Sequence, residues 1–241
     1  MKTPTPRRSG SGYELDIRDL LDGTPSDRMG VAFLHSALLP RSPVVRLGYP
    51  FMTEYYYRQL VHDRLIGCQL ALVSGRPAGF VAYTTRPHDF MLAGLRRNWP
   101  DLTTLVARAL LARPSRVTVV ARALGMLKRR RDDLAGGPVY DGEILSLAVL
   151  PQYRSPRFVH ETGLHIGRML FDIAVSRSRA AGAKILVTLV PARDHETLIF
   201  LHSMGCQFHR EWIDGADCYE VTYRIPDPDT SSLPVRTPTY I

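Results

Sequence analysis

Residues 142–172 read GEILSLAVLPQYRSPRFVHETGLHIGRMLFD, and this order of apolar run, basic turn and amphipathic stretch decides the fold. The run Glu143 to Leu150 has the length and apolarity of a strand buried on both faces. Pro151, which has no N–H to give a ladder, ends it. Beyond the turn, Leu164, Met169, Leu170, Ile173 and Ala174 fall near helical spacing, which places a helix start around Glu161 or Thr162. A strand running into a helix N-terminus leaves backbone N–H groups unpaired at the positive end of the helix dipole. Such a corner binds anions, phosphates above all. Gly163 and Gly167 lie at this corner. Lacking a Cβ, they either let a phosphate approach the amides or simply allow close helix packing.

Downstream, Ala183 to Val190 (AKILVTLV) is a second buried strand, announced by Ala181-Gly182. Arg193 to Met204 reads as a short helix, Cys206 to Trp212 as a strand, and Asp214-Gly215 as a hairpin turn into Tyr219 to Arg224. Upstream, Tyr13 to Leu20 alternates as YELDIRDL, a first strand. Pro25 and Ser26 sit at a helix start, and Asp27 to Leu39 supplies its apolar face. Pro50 to Leu65 reads as a second helix. Cys68 to Val73 and Ala78 to Tyr83, joined by Ser74-Gly75-Arg76-Pro77, form a hairpin.

Between Arg86 and Pro138 stand two basic amphipathic helical stretches, LTTLVARALLAR and SRVTVVARALGMLKRRR, separated by Pro114. Their apolar sides pack on the sheet or cover a pocket; alternatively their arginines touch anionic lipid or another polyanion. Residues 1–12 read as a disordered arm and 226–241 as a Pro-rich tail. That leaves 13–225 as one folded domain with 86–138 as a helical insert.

A chain of 241 residues can bury a substantial core. Its formal charge of +8 is carried almost entirely by arginine and favours anionic partners. Cys68, Cys206 and Cys218 show neither metal spacing nor a CxxC pair, so free thiols in a reducing compartment are expected. The start MKTPTPRRSGSG lacks the apolar core of a signal peptide, and no run approaches a membrane span, so a cytoplasmic location is expected. The histidines form no zinc-ligand spacing, and no metal is expected.

LAVLPQYR followed by TGLHIGRMLFD resembles the acyl-CoA pyrophosphate site of the GNAT N-acetyltransferase superfamily. There a strand ends, an Arg or Gln opens a Gly-rich turn, and a helix follows. With Gly167 as the last residue of that turn, Thr162 takes its first position and His165 its middle glycine. Ser155 to Thr162 then stand as an insertion after Tyr153-Arg154. The phrase GRPAGFVAY around Gly79 is similar to the family's second and third strands. In the closing helix Asp194 stands where the family has Asn, and Phe200-Leu201 where it has a Phe-Tyr pair. The resemblance spans Tyr13 to Arg224. It implies a mixed α/β (α+β) fold: a central, mostly antiparallel, splayed sheet flanked by helices, with a helical insert between strands 3 and 4.

The same resemblance implies acetyl-CoA or another acyl-CoA as co-substrate and an amine acceptor, which the enlarged insert suggests is sugar-linked, lipid-linked or a peptide. The amides of Thr162, Gly163, Leu164, His165, Ile166 and Gly167, helped by Arg154 or Arg157, would hold the pyrophosphate, with Asp194 also on the cofactor side. Leu147, Ala148 and Val149 would offer backbone groups to the pantetheine arm. Glu143, at the head of the central strand, matches a catalytic glutamate of some members and is the candidate general base; the alternative is an ordinary strand-end carboxylate. Leu201 occupies the position of a frequent tyrosine acid, so His202 is the candidate acid, or a packing residue. Tyr55 and Tyr56 line an acceptor pocket or pack the helix. Two rival readings remain: a GNAT-like binding or regulatory module without chemistry, and a basic nucleic-acid or membrane-surface protein using the insert. A monomer and a homodimer fit equally.

Overall fold

The structure, a computed structural model, describes residues 7–8, 12–100, 103–104, 140–213 and 216–226. Its first half is β1 (Arg7–Arg8), β2 (Glu14–Asp19), α1 (Pro25–Leu38), α2 (Pro43–Leu47), the π-helical α3 (Phe51–Gln59), β3 (Gly67–Val73), β4 (Arg76–Thr84) and α4 (Phe90–Arg97). The second half is β5 (Gly142–Val149), α5 (Pro151–Arg154), α6 (Pro156–Thr162), α7 (Ile166–Ala180), β6 (Ile185–Pro191), α8 (His195–Ser203), β7 (Gln207–Ile213) and β8 (Ala216–Arg224). The strands form one sheet in the order β1-β2-β3-β4-β5-β6-β8-β7.

Local chemistry explains several of these boundaries. Thr24 and Asp27 close a capping box ahead of α1, with Pro25 at the first helical position, where its missing N–H costs nothing. Ser74 and Gly75 both adopt positive φ, 49° and 76°, the geometry that matches a two-residue turn to the twist of β3 and β4. α3 departs from the expected α-helix: it is π-helical across Phe51–Gln59 and returns to α geometry only over Leu60–His62. The arm is not wholly free, since Arg7 and Arg8 pair with Leu15 and Glu14 at the sheet edge. Of the two basic stretches of the insert only Thr103 and Thr104 are described; the rest, and the tail beyond residue 226, lie outside the described residues.

The ladder is antiparallel throughout except between β5 and β6, where parallel pairing is confined to Gly142↔Leu186 and Glu143↔Val187. β6 instead pairs fully with β8, from Ile185↔Arg224 to Pro191↔Cys218. Beyond Glu143, therefore, β5 and β6 part, and the sheet splays as expected. Helices fill the two faces. Ile166, Leu170, Phe171, Ala174 and Val175 of α7 pack with Val81, Tyr83, Ile144 and Leu186 on one. α1 and α3 place Leu34, Tyr55, Tyr57 and Leu60 against Cys68, Leu70 and Phe80 on the other.

His35 of α1 is fully buried in this second layer, its Nδ1 hydrogen-bonded to the Tyr57 hydroxyl and its ring 5.4 Å from that of Phe80. Burial pushes its pKa down to about 4, so the folded protein holds it neutral at neutral pH. An unfolded chain takes up the proton first as pH falls below about 6.5, so stability should drop between about pH 6.5 and pH 4 and be unaffected by this group above that window. The loss attributable to His35 reaches about 3 kcal/mol. Urea unfolding across that range should show the drop in the wild type and a flatter profile in His35→Phe/Tyr57→Phe, which removes the titrating ring together with its partner.

Candidate functional site

The apex of the splay is held by Asp141. Its Oδ2 accepts from the amides of Lys184, at 2.9 Å, and Ile185, at 3.1 Å, while its own N–H donates to the Ile185 carbonyl. One residue row further stands Glu143, opposite Thr84 on β4 and Val187 on β6, and 7% exposed. The pairing of β4 with β5 shifts register between Ala82 and Tyr83, so that β5 carries an extra residue at Leu145. The bulge shows in the side chains: Ile144, Leu147 and Val149 face the α7 layer, whereas Leu145, Ala148 and Leu150 face the layer of α1 and α3. Alternation from Ile144 puts Glu143 on the α1 and α3 side.

Backbone direction along β5 follows from one bond. Leu150 donates to the Ala78 carbonyl at 2.8 Å, so Leu150 and, two residues back, Ala148 turn their polar groups toward β4. Leu147 and Val149 turn theirs the other way, into the gap where β6 has departed. Of the three residues expected to offer backbone groups to an extended ligand, two face the gap, and Ala148 is occupied by its own sheet.

At the far end of β5 the helix start differs from expectation. Residues 156–162 form the separate short helix α6, capped at its N-terminus by the Ser155 hydroxyl. It ends at Gly163, whose left-handed backbone (φ 67°, ψ 9°) brings its N–H back to the Val159 carbonyl at 2.7 Å. The Thr162 hydroxyl donates to the Phe158 carbonyl and accepts from the Leu164 amide. Thr162, Gly163 and Leu164 therefore spend their hydrogen bonds inside α6 and its cap. The long helix α7 begins only at Ile166, and His165, at its N-cap, makes no side-chain capping bond. The unpaired amides at the positive end of α7 are those of Ile166, Gly167 and Arg168. This helix start comes one turn later than the spacing suggested, because a Ser-Pro pair followed by apolar Phe158 was enough to start a helix of its own.

Gly167 is where this corner meets the strand. A Cβ there would stand 3.6 Å from the Phe200 ring of α8 and 3.9 Å from Val149 Cγ2, ordinary contact distances. Arg168, which the motif did not single out, is exposed in the first turn of α7 beside these amides. Its only sequence signal is its place directly after Gly167.

The remaining candidates are dispersed. Arg154 is ion-paired with Glu196 of α8, and Arg157 with Glu161 at 2.7 Å. Asp194 caps α8, accepting from the Thr197 amide at 3.2 Å and hydroxyl at 2.8 Å, so its carboxylate serves the helix. Leu201 is buried in the core, while His202 is exposed with its ring 6.1 Å from Phe208 of β7, turned away from the face of α8 that meets Gly167. Tyr55 and Tyr56 are 1% and 3% exposed and belong to the α1 and α3 core; burial, helped by the charge of Asp63, pushes the Tyr55 hydroxyl up to about 12. The packing alternative therefore describes both tyrosines. All three cysteines are buried and none is in a disulfide. Among the described residues no cluster of His, Cys, Asp or Glu could hold a metal, and no helix is long and apolar enough to cross a membrane.

No family model and no curated protein sequence matches the chain. Solved structures do. Ard1 from Thermoplasma volcanium superposes with a TM-score of 0.50 at 13% identity, covering 88% of this chain and 99% of its own. The NatC complex bound to Gag peptide and CoA gives 0.51 at 12% identity, with 88% and 99% covered. A further acetyltransferase gives 0.50 at 12%, with 87% and 99% covered. The chain has the GNAT acetyltransferase fold. Within the GNAT sheet the splay between β5 and β6 and the N-terminus of α7 form one continuous edge, from Glu143 through Leu147 and Val149 to Gly167.

The two glycines of the corner should respond oppositely to alanine. Gly163 sits in open space but in a left-handed conformation, so Gly163→Ala should cost about 1 kcal/mol in urea unfolding. Gly167 has room for a methyl and helical dihedrals, so Gly167→Ala should be neutral or stabilising by up to about 1 kcal/mol.

Proposed function

We propose that the protein is an acyl-CoA-dependent N-acyltransferase that moves an acetyl or short acyl group to a primary amine. The observation that carries this is the coincidence of three features along one edge. They are the parted strands β5 and β6, the outward-facing backbone of Leu147 and Val149, and the unpaired amides at the start of α7 beside Gly167. Support comes from the shared fold of Ard1 and of NatC, whose structure holds CoA and a peptide.

In this reading the amides of Ile166, Gly167 and Arg168, with the Arg168 guanidinium, receive the pyrophosphate at the positive end of α7. Leu147 and Val149 then pair with the amide-bearing pantetheine arm as β6 does nearer the apex. A backbone N–H in this stretch lies where negative charge develops on the thioester oxygen. Glu143 faces the opposite side of the sheet from α7. Cofactor and amine thus approach from opposite faces and meet in the gap. Glu143 accepts the proton the ammonium must lose before it can attack, directly or through one water. The leaving thiolate takes its proton from solvent, since Leu201 has none to give and His202 packs on β7. Three buried cysteines outside any disulfide suit a reducing compartment such as the cytoplasm.

Acetyl-CoA at a hundred times its dissociation constant should stabilise the protein by about 2.7 kcal/mol, read as a rise in Tm. No shift at millimolar acetyl-CoA would sink the transferase reading in favour of a binding module. Glu143→Gln should lower kcat by roughly 10²- to 10⁴-fold near neutral pH with the KM for acetyl-CoA unchanged, measured by thiol release with the best substrate of an amine panel.

A further inference from the structure

A row of side chains crosses the sheet from Glu143. The paired residues Glu143↔Val187, Val187↔Thr222 and Thr222↔Gln207 share one face over four strands. The next row places Leu189, Glu220 and His209 together, and Leu189 is 44% exposed. On this face, opposite the α7 layer, the strands β6, β8 and β7 floor a depression of about 410 Å³, walled by Tyr140. Its volume lies in the lower part of the ligand-pocket range, roughly 300–1,000 Å³. Thr222 stands two strand spacings, roughly 10 Å, from Glu143.

Six of the seven described residues that line this depression carry a hydrogen-bonding group, set among the apolar parts of the same side chains. The Tyr140 hydroxyl is bonded to the Glu220 carboxylate. Gln207, His209, Thr222 and Arg224 direct donors and acceptors into the same space from two strands, with Ile185 of β6 as the apolar contribution. Among the described residues it carries one carboxylate, Glu220, and one guanidinium, Arg224. A polyanion would meet Glu220 and a polycation Arg224, so neither is favoured, whereas a neutral body rich in hydroxyls can satisfy donors, acceptors and the amphoteric Thr222 and His209 together. An extended peptide would be held chiefly by main-chain pairing along a strand edge, and these groups are side chains on a sheet face.

We infer that this depression is the acceptor's recognition site and takes the hydroxyl-rich body of an amino sugar within an oligosaccharide, the ring bearing the amine reaching back across Val187 to Glu143. This rests on the transferase reading for its chemistry, but the binding step stands apart from it. A single ring in the depression would leave its amine short of Glu143, so the acceptor is at least a disaccharide. The product is an N-acyl amino sugar. The amine nitrogen forms the new bond to the acyl carbon, the carbon–sulfur bond breaks, and the amine proton leaves through Glu143 while the thiolate is protonated by solvent.

The test uses the full chain and N,N′-diacetylchitobiose, a neutral disaccharide with no free amine and hence no chemistry, titrated by calorimetry or NMR. Saturable binding is expected, weakened at least tenfold in Gln207→Leu/Thr222→Val, which removes two neutral hydrogen-bonding heads worth roughly threefold to tenfold each. Gln207 is exposed and Thr222 half-buried on the sheet face, and an unchanged Tm shows that the variant is folded. If it is not folded, the single exchange Arg224→Gln replaces it, with at least threefold weakening expected. No saturation, equal affinity in the variant, or equally sensitive binding of a lysine tripeptide overturns the assignment. Acetyl-CoA-induced stabilisation measured on the same samples reports separately on the transferase reading. Turnover of glucosaminyl-β-1,4-N-acetylglucosamine in the wild type, with KM raised in the variant and kcat retained, completes the supporting result.

Discussion

Everything this molecule offers a ligand depends on two strands that pair and then stop pairing. Parallel β5 and β6 are in register only at Gly142↔Leu186 and Glu143↔Val187, and Asp141 clamps that short seam by taking two β6 amides on one carboxylate oxygen. A buried backbone left without partners costs free energy, so a sheet opens in this way only where something else receives the exposed groups. β6 satisfies its own other edge through an unbroken ladder with β8, and α7 closes one side of the gap with its buried Ile166 and Leu170. What remains open is the edge of β5, and that edge is strand-like, extended and polar at alternate residues.

The extra residue at Leu145 sets which chemistry meets that edge. Without the bulge, strict alternation would put Glu143 on the same face as Leu147 and Val149, among the apolar contacts of α7. One inserted residue sends it to the other face, where the sheet beyond β6 is lined by polar side chains. The N-terminus of α7 and the carboxylate are thereby separated by the thickness of the sheet and joined only through the gap. In the proposed transferase this lets two polar reactants meet without either crossing the path of the other.

The helices of the other layer serve packing more than chemistry. The triple tyrosine, conspicuous in the sequence, supplies a buried aromatic cluster in which the Tyr57 hydroxyl partners Nδ1 of His35 and the Tyr55 ring lies tilted against Phe51, 5.1 Å between centroids. The π-helical α3 buries all three of these consecutive rings. In α8, the same logic turns Leu201 into core and His202 outward, and Asp194 into a cap. Helix amphipathicity identifies such faces in general but not which side of a helix faces a cleft, since a cleft wall and a core look alike in an apolar pattern.

By itself the sequence determined the elements whose chemistry is local. These are the buried strand ended by Pro151, the hairpin turned at Ser74-Gly75, the capped helix after Thr24, and the order of strands and helices that carries the GNAT frame. Tertiary structure decided what depends on distant partners. The start of α7 moved from Glu161 to Ile166 because Ser155 and Phe158 stabilise a separate turn that Gly163 then closes. Arg154 and Arg157 became ion-paired with glutamates, one of them on α8, forty-two residues away. Above all, the departure of β6 from β5 leaves no mark in either strand's own pattern. Each reads as fully buried, and only the competition between β5 and β8 for the edges of β6 tells which amides are left unpaired.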